Sequence, residues 1–247
     1  MSEAAPGREP RLPRWAPAAL SFVAGYVDSY TFLALFGLFV AQVTGSLVTG
    51  AAELVTHDFG IAGKLIAIFA FVVAAAITAA LIRWLGDRGR PALVAMLALE
   101  TALLALFTVT MLASAPIDGV DDWRGILAGA FGAMAMGTQS VIVRLLMRGV
   151  PQTNVMTGNM TQLGIETTDL ILAWRRSAGA PGDRGRAEEF GAVRARLLVV
   201  LAIAVGFLLG AAVGAVIYAK AGLPGAPLSV VIVAALTLWA GWRGRRV

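Results

Sequence analysis

The sequence predicts an all-α polytopic membrane protein with six transmembrane helices, arranged as two inverted repeats of three helices. Three observations predict this fold. The chain of 247 residues is 58% hydrophobic and 14% charged, whereas soluble domains are about 45–50% apolar and about 25% charged. Several apolar stretches reach the length of about 20 residues that a helix needs to cross a bilayer. A short Thr-Gly element occurs twice, which indicates two related halves.

The six predicted spans are stretches in which apolar residues dominate, at about residues 15–38, 61–84, 91–113, 125–147, 196–219 and 227–242. All six Trp residues lie at or beside the ends of these spans or of the Thr-Gly elements, where indole rings favour the headgroup region. The first span continues beyond 20 residues and contains Asp28, so we expect a retained helix and not a cleaved signal peptide.

The basic residues predict that both termini are cytoplasmic. With six spans, 17 of the 20 Lys and Arg residues fall on the inside, as the positive-inside rule requires. If both Thr-Gly elements crossed the membrane, the loop at 85–90 would move outside and break this bias, so we expect that they do not cross. The predicted organisation is a cytoplasmic tail 1–14, a first repeat 15–113, an external loop 114–124, a second repeat 125–243 and a cytoplasmic tail 244–247. A Gly-rich, charged loop at 175–196 is expected to be cytoplasmic and flexible.

The Thr-Gly elements read "VTGSLVTGAAELV" from 43 to 55 and "MTGNMTQLGIETT" from 156 to 168. At an offset of 113, the Thr, Gly and Glu at positions 44, 45 and 53 fall on those at 157, 158 and 166. Each element follows the first span of its half. Three spans per half is an odd number, so the second half is expected to enter from the opposite side of the membrane. Each element is either a broken, re-entrant helix or an interfacial helix, and the sequence leaves both open.

Interrupted helices of inverted repeats commonly meet near the midplane and present their N-termini to a ligand. Thr, Ser and Asn are helix-capping residues, and glycine allows a sharp turn or a close approach of the backbone. The predicted substrate-binding residues combine these types with polar side chains of the preceding spans: Asp28, Thr44, Gly45, Ser46, Gln139, Thr157, Gly158 and Asn159.

Two ionisable residues lie inside predicted spans, where such residues usually have a function. Asp28 and Glu100 are therefore candidates for binding a proton. The alternatives are a hydrogen bond to a neighbouring hydroxyl group or a buried ion pair with Arg144. Glu53 and Glu166 lie about 13 Å along a helix from their Thr-Gly threonines, so we expect them at the water boundary, solvated.

Several classes of function are excluded or disfavoured by what the sequence lacks. The chain has no Cys, which excludes thiol chemistry and Cys-ligated metal sites. Its one His, His57, is expected to be solvated in an external loop, and no metal site is predicted. Phosphate-loop, hydrolase and zinc-protease motifs are missing, so neither an enzyme nor a cofactor is predicted. The net charge of +5 is explained by a basic face against anionic lipid, without nucleic acid.

Small residues predict how the helices pack. Gly206, Gly210 and Gly214 form a stripe with a spacing of four residues, which is typical of close helix contacts in membranes. We favour a contact within one chain, but a contact between chains, and hence a homo-oligomer, remains open.

The stretches "GYVDSYTFLALFGLFVAQVTGSLV" at 25–48 and "VPQTNVMTGNMTQLG" at 150–164 resemble the YoaK-like bacterial inner-membrane proteins, a family catalogued as a domain of unknown function. The likeness extends from about residue 15 to about residue 240. It implies a multi-pass protein of the bacterial inner membrane, and it implies no established substrate or reaction. The first element has Ser46 where we would expect an Asn.

Two functions of different classes are open. The first expectation is a transporter that binds an unidentified small polar or anionic solute between its two repeats, because paired polar breaks in an inverted repeat are typical of transporters. This expectation rests on analogy of fold. The alternative is a scaffold or regulatory membrane protein that transports nothing.

Overall fold

The computed structural model describes residues 12–56, 60–117, 119–178 and 183–244. His57 and most of both predicted tails lie outside these residues. Within them, all regular structure is helical. The described residues contain eight α-helices: α1 Ala16–Ala34, α2 Val43–Thr56, α3 Ile61–Asp87, α4 Leu93–Ala113, α5 Trp123–Leu146, α6 Met156–Ala178, α7 Arg184–Ala221 and α8 Pro227–Gly244. A short 3-10 turn, Leu223–Gly225, connects α7 to α8.

Among the described residues, five stretches are long and apolar enough to cross a membrane: α3, α4, α5, α7 and the stretch Leu223–Gly244, which contains α8. The chain is therefore a multi-pass membrane protein. The remaining predicted span corresponds to α1, whose Asp28 and hydroxyl side chains lower its hydropathy. Most of α1 is buried inside the protein, so these polar groups contact other helices.

Both Thr-Gly elements are helical: the first makes up nearly all of α2, and the second forms the first half of α6. Neither helix is among the five membrane-capable ones. The loop before α2, residues 35–42, folds back along α1 until the N–H of Ala41 reaches the Asp28 carboxyl group at 2.6 Å. The loop before α6, residues 147–155, folds back along α5 until Thr153 reaches Gln139 at 2.9 Å. We call these segments the first and the second return loop.

Two helix pairs run parallel and pack closely. Along α7, the positions Gly206, Gly210 and Gly214 lie against the backbone carbonyl groups of Ala18, Phe22 and Tyr26 in turn. Residue numbers rise together on both helices, so α1 and α7 point the same way. A Cβ atom at any of these glycines would overlap the carbonyl oxygen. The glycine stripe therefore forms a seam within the chain.

The second parallel pair is α3 and α5, in which Gly63 lies beside Ile126 and Gly137 lies against the carbonyl group of Phe71. In contrast, α4 is antiparallel to α8. Thr101 and Thr237 share a hydrogen bond of 3.1 Å, and Thr108 donates to Ala226 farther along. These contacts join the last helix of the first half to the last helix of the second half.

The flexible loop expected at 175–196 is instead largely helical, since α6 continues to Ala178 and α7 begins at Arg184. The carboxylate of Asp183 accepts hydrogen bonds from the N–H groups of Gly185 and Arg186, as an N-capping residue does. Arg, Ala and Glu, which dominate the following turns, are good helix formers. An ion pair of 3.1 Å between Arg176 and Glu189 links the two helices, so they form a hairpin.

Candidate functional site

The first return loop is held by Asp28, a residue that is 2% exposed. One carboxyl oxygen accepts hydrogen bonds from the N–H groups of Val40 (2.9 Å) and Ala41 (2.6 Å), and the other accepts one from Gln42 (3.0 Å). All three backbone donors would otherwise be buried or half-buried without a partner, which is costly. Asp28 therefore fixes the backbone of this loop, and its two oxygen atoms are occupied in doing so.

Ser46 ties the start of α2 to the same loop. Its hydroxyl group accepts from the N–H of Phe39 (2.9 Å) and donates to the carbonyl of Phe39 (2.7 Å). The Phe39 ring lies directly against Gly45, where a Cβ atom would come within 2.8 Å of it. The side chain of Thr44, in contrast, is exposed on the outside of the bundle.

Neutral side chains hold the second return loop. The Gln139 amide group donates to the carbonyl of Leu20 (3.0 Å) and to the hydroxyl of Thr153 (2.9 Å). Ser21 of α1 donates to the carbonyl of Thr153 at 2.8 Å. The Asn154 amide group donates to the hydroxyl of Ser140 at 2.7 Å. Side chains of α1 and α5 together therefore position this loop.

Asn159 ties the start of α6 to the second return loop, since its amide group donates to the carbonyl of Gln152 at 2.7 Å. Seven residues separate this pair, and seven separate Ser46 from Phe39. Asn159 is buried, whereas Thr157 and Gly158 are exposed. Ser46 and Asn159 are the third residues of the triplets Thr-Gly-Ser and Thr-Gly-Asn, which are 113 residues apart. Each thus makes the same kind of contact with the preceding loop.

The two return loops meet at one hydrogen bond, from the amide group of Asn154 to the carbonyl of Ala41 (3.2 Å). Because Ala41 also donates to Asp28, a continuous chain of polar contacts connects Asp28 to Asn154. The side-chain oxygens of Gln139 and Asn154 are buried and have no hydrogen-bond partner among the described residues. Asp28 and Gln139, the predicted site residues in α1 and α5, are buried and do not line the cavity described next.

A cavity of about 620 Å³ lies beside the second return loop, between α5, α6 and α7. Of the predicted site residues, Gly158 and Asn159 line it; Asp28, Thr44, Gly45, Ser46, Gln139 and Thr157 do not. Its polar lining consists of Arg144, Gln152, Asn159, Gln162, Glu166 and Arg196. Its apolar wall includes Val155, Val199 and Val200. A volume of this size suits a small organic ligand.

The charged groups of this cavity are unequally paired. Arg196 contacts both carboxylate oxygens of Glu166 at 3.2 Å, and the Gln162 amide group donates to the same carboxylate at 2.9 Å. Arg144, in contrast, has no hydrogen bond or ion pair to another described residue. Glu166 is therefore paired and buried, although the sequence indicated a solvated residue.

The corresponding region of the first half is almost filled. A cavity of only about 20 Å³ lies beside the first return loop. Leu35, Phe36 and Leu38 of the loop fill this region together with Val120 and Ile126. Lys64 also lines it and forms an ion pair with Glu53, so Glu53 too is paired and not simply solvated.

Glu100 lies apart from both loops, in α4, and it is fully buried. Neither of its carboxyl oxygens has a hydrogen-bond partner among the described residues. Arg144, considered from the sequence as a partner, lines the cavity beside α6 instead. No group of three or more His, Asp or Glu side chains that could hold a metal ion occurs in the described ranges.

Sequence reasoning missed Gln152, Gln162 and the pairing of Glu166 with Arg196. The signal for the ion pairs was present, because Glu53 and Glu166 match at the offset of 113. The basic partners could not be found in this way, since Lys64 follows Glu53 by 11 residues and Arg196 follows Glu166 by 30.

A family model described as a protein of unknown function (DUF1275) matches residues 17–240. The match begins in α1 and ends in α8, so it contains both return loops and the cavity. It confirms the resemblance seen in the stretches at 25–48 and 150–164. No curated protein and no solved structure matches the chain.

Proposed function

We propose that this chain, which belongs to the DUF1275 family, is a transporter of a small polar or anionic solute in the bacterial inner membrane. The proposed solute site is the cavity beside the second return loop, and the packed contacts between the two return loops form its closed end. One observation carries the proposal: two similar loops meet inside the bundle, and among the described residues a cavity of about 620 Å³ lies beside the second loop and one of about 20 Å³ beside the first.

The proposed architecture has six spans in two inverted repeats, with α1 as the sixth span. Support comes from the two parallel seams. Gly25 of α1 lies against the carbonyl group of Phe207 in α7, and Gly137 of α5 lies against that of Phe71 in α3. In the proposed repeat, α1 corresponds to α5 and α3 corresponds to α7. The contact between α1 and α7 therefore corresponds to the contact between α5 and α3. The parallel direction of each pair fits a path in which α1 and α7 cross one way and α3 and α5 the other.

Alternating access follows from this architecture. In such folds, one repeat rocks against the other, so that a central site opens to each side in turn. The unequal cavities, about 620 Å³ and about 20 Å³, are what a state open on one side would have. Arg148 lies in the second return loop, and Arg175 and Arg176 lie in the last turn of α6, so the positive-inside rule favours the cytoplasmic side for the larger cavity.

A scaffold or regulatory role is the second candidate, and one observation favours it. The contacts between the return loops form a packed polar network, in which Asp28 is occupied by three backbone N–H groups. Networks of this kind give rigidity. A scaffold needs this rigidity, whereas a transporter must be able to rearrange the network.

Cysteine accessibility separates the two candidates, because the chain has no native Cys. We would introduce Gln152→Cys in the large cavity and Val120→Cys beside the small one, with the exposed Trp123→Cys as a control. In membrane vesicles, a panel of carboxylates, amino acids and sugars would be added as solutes. For a transporter, one solute changes the labelling rates at 152 and 120 in opposite directions and leaves 123 unchanged. If no solute changes the labelling rates and no solute is taken up into liposomes, the scaffold role is favoured.

A further inference from the structure

We propose that the ligand of the cavity between α5, α6 and α7 is a small monocarboxylate, whose anionic group binds the Arg144 guanidinium. This inference rests on the proposed function, since it names the class of solute for the same site. It is carried by the pairing of charges in the cavity and by the amide and apolar side chains that line the same cavity.

The charge balance of the cavity favours an anion. Three charged side chains line it, Arg144, Glu166 and Arg196. Glu166 neutralises Arg196 through the contacts at 3.2 Å. Arg144 is exposed at the cavity, and its charge has no partner among the described residues. A guanidinium group presents several N–H donors in a plane, which suits a carboxylate with two acceptor oxygens.

The surroundings of Arg144 add donors for an anion and few competing acceptors. Gln152 and Asn159 line the same cavity, and Asn159 lies in the first turn of α6. The N-terminal end of a helix carries a partial positive charge, which favours an anion nearby. The one carboxylate in the lining, that of Glu166, already accepts from Arg196 and Gln162.

The rest of the lining favours a ligand that has one anionic group and is otherwise apolar. Pro151, Val155, Val199 and Val200 form an apolar wall, and this wall offers nothing to a second charge or to a polyhydroxylated body. Burying apolar surface against it contributes roughly 25 cal/mol per Å². A monocarboxylate such as butyrate or benzoate meets both requirements, whereas a dicarboxylate would bring a second charge into contact with the wall.

Equilibrium binding to the purified full-length protein tests the inference, with radiolabelled butyrate and benzoate as probes. Arg144→Gln removes the unpaired charge, and Arg148→Gln is the matched control, because Arg148 lies one turn away in the chain and does not line the cavity. We expect Arg144→Gln to weaken binding by roughly tenfold or more, the loss typical of one hydrogen bond between charged groups. Arg148→Gln should leave the affinity unchanged.

Glu166→Gln provides a change in the opposite direction. It frees Arg196 and raises the net charge of the lining, so butyrate and benzoate should bind more tightly than to the parent protein. Rising salt should weaken binding to the parent. Equal losses in Arg144→Gln and Arg148→Gln, or weaker binding in Glu166→Gln, would overturn the assignment of the anion site.

A lipid headgroup is an alternative source of an anion, and the binding experiment distinguishes it. The protein would be placed in bilayers of phosphatidylcholine with and without phosphatidylglycerol. Competition by phosphatidylglycerol that Arg144→Gln abolishes would mean that the cavity holds a headgroup, and the inference would be wrong. Unchanged affinity in both bilayers supports a soluble monocarboxylate.

Uptake into liposomes separates this inference from the proposed function. Binding of butyrate or benzoate without uptake would contradict transport and leave the anion site standing. Uptake of a neutral or cationic solute, blocked by bulky side chains at 158, without any binding of monocarboxylates would contradict the anion site and leave transport standing.

Discussion

The two return loops have the same hydrogen-bonded frame but differ in what lies beside it. Ser46 donates a hydrogen bond to the carbonyl of Phe39, and Asn159 donates one to the carbonyl of Gln152, in both cases to a residue seven positions earlier. In the first half, the Phe39 ring lies on Gly45. In the second half, Gln152 and Gly158 line a cavity. The frame thus sets the path of the backbone in both halves, whereas the apolar side chains around it, Leu35, Phe36 and Leu38 in the first half, determine how much space for a ligand remains.

The ion pairs beside the loops differ in the same way. The Lys64 side chain is 4% exposed and lies in the filled half, whereas the Arg196 side chain is 54% exposed and lies at the open cavity. The same type of contact is therefore structural in one half and accessible in the other. Four predictions follow from these differences, and each compares matched positions of the two halves.

The largest effect is expected at the parallel seams, where Gly25→Val and Gly137→Val should each prevent folding. A side chain at either position would overlap a backbone carbonyl group of the neighbouring helix, and backbone cannot move aside as a side chain can. Gly164→Val is the control, since nothing lies within 4 Å of that position. The measurement is the yield of monodisperse protein in size-exclusion chromatography. If either Gly25→Val or Gly137→Val gave a normal yield, the two seams would not be equivalent.

The next effect is expected at the ion pairs, where Glu53→Gln should be far more damaging than Glu166→Gln. Removing Glu53 leaves the buried ammonium group of Lys64 without its carboxylate, which costs about 3–5 kcal/mol. Removing Glu166 leaves Arg196 able to reach water, and the loss should be below about 1 kcal/mol. Thermal unfolding in detergent measures the difference. Similar melting temperatures for the two variants would show that both pairs are equally exposed.

A smaller effect is expected where Asp28 and Ser140 hold the loops. In Asp28→Asn, an amide N–H₂ group replaces one acceptor oxygen and faces a backbone donor, so we expect a loss of about 2–3 kcal/mol. Ser140→Ala removes one neutral hydrogen bond from Asn154 and should cost about 1 kcal/mol. Both values can be obtained from unfolding curves. If Asp28→Asn were as stable as the parent, the carboxylate would not be fixing the first return loop.

The smallest effect on stability is expected at Ser46→Ala and Asn159→Ala, about 1 kcal/mol each. Their effects on ligand binding should differ, because Asn159 lines the cavity and Ser46 does not. Only Asn159→Ala should therefore weaken the binding of benzoate. A loss of binding in both variants, measured at a temperature where both are folded, would mean that the two halves contribute jointly to the site.

The repeat at an offset of 113 aligned Ser46 with Asn159. The sequence did not predict that each of these side chains would tie a helix start to Phe39 or Gln152 in the preceding loop. The offset failed beyond α6, where Phe71 and Phe207, which occupy matching places in the seams, differ by 136. The reason is the longer hairpin of α6 and α7. The charged residues of this hairpin led to the prediction of a flexible loop, although their helix propensity and the N-cap at Asp183 favour helices.

The position of the cavity could not be predicted, because it depends on the directions of individual side chains. Thr44 and Thr157 match each other in sequence, yet both point away from the interior. Helical register turns the third residue of each triplet inward instead. Asp28 read as a free ionisable group, since a sequence does not reveal that a loop will fold back to place three N–H groups around it.

The length of α7 has a mechanical consequence. The helix is continuous from Arg184 to Ala221, which makes it about 57 Å long, well beyond the thickness of about 30 Å of the hydrocarbon core. A tilt of about 10° around the glycine seam at Gly210 displaces the Arg184 end by about 7 Å. Rocking of α7 against α1 that would be too small to detect at the glycine seam is therefore magnified at that end. The displacement of a spin label near Arg184 would therefore report a rotation of α7 about the glycine seam inside the membrane.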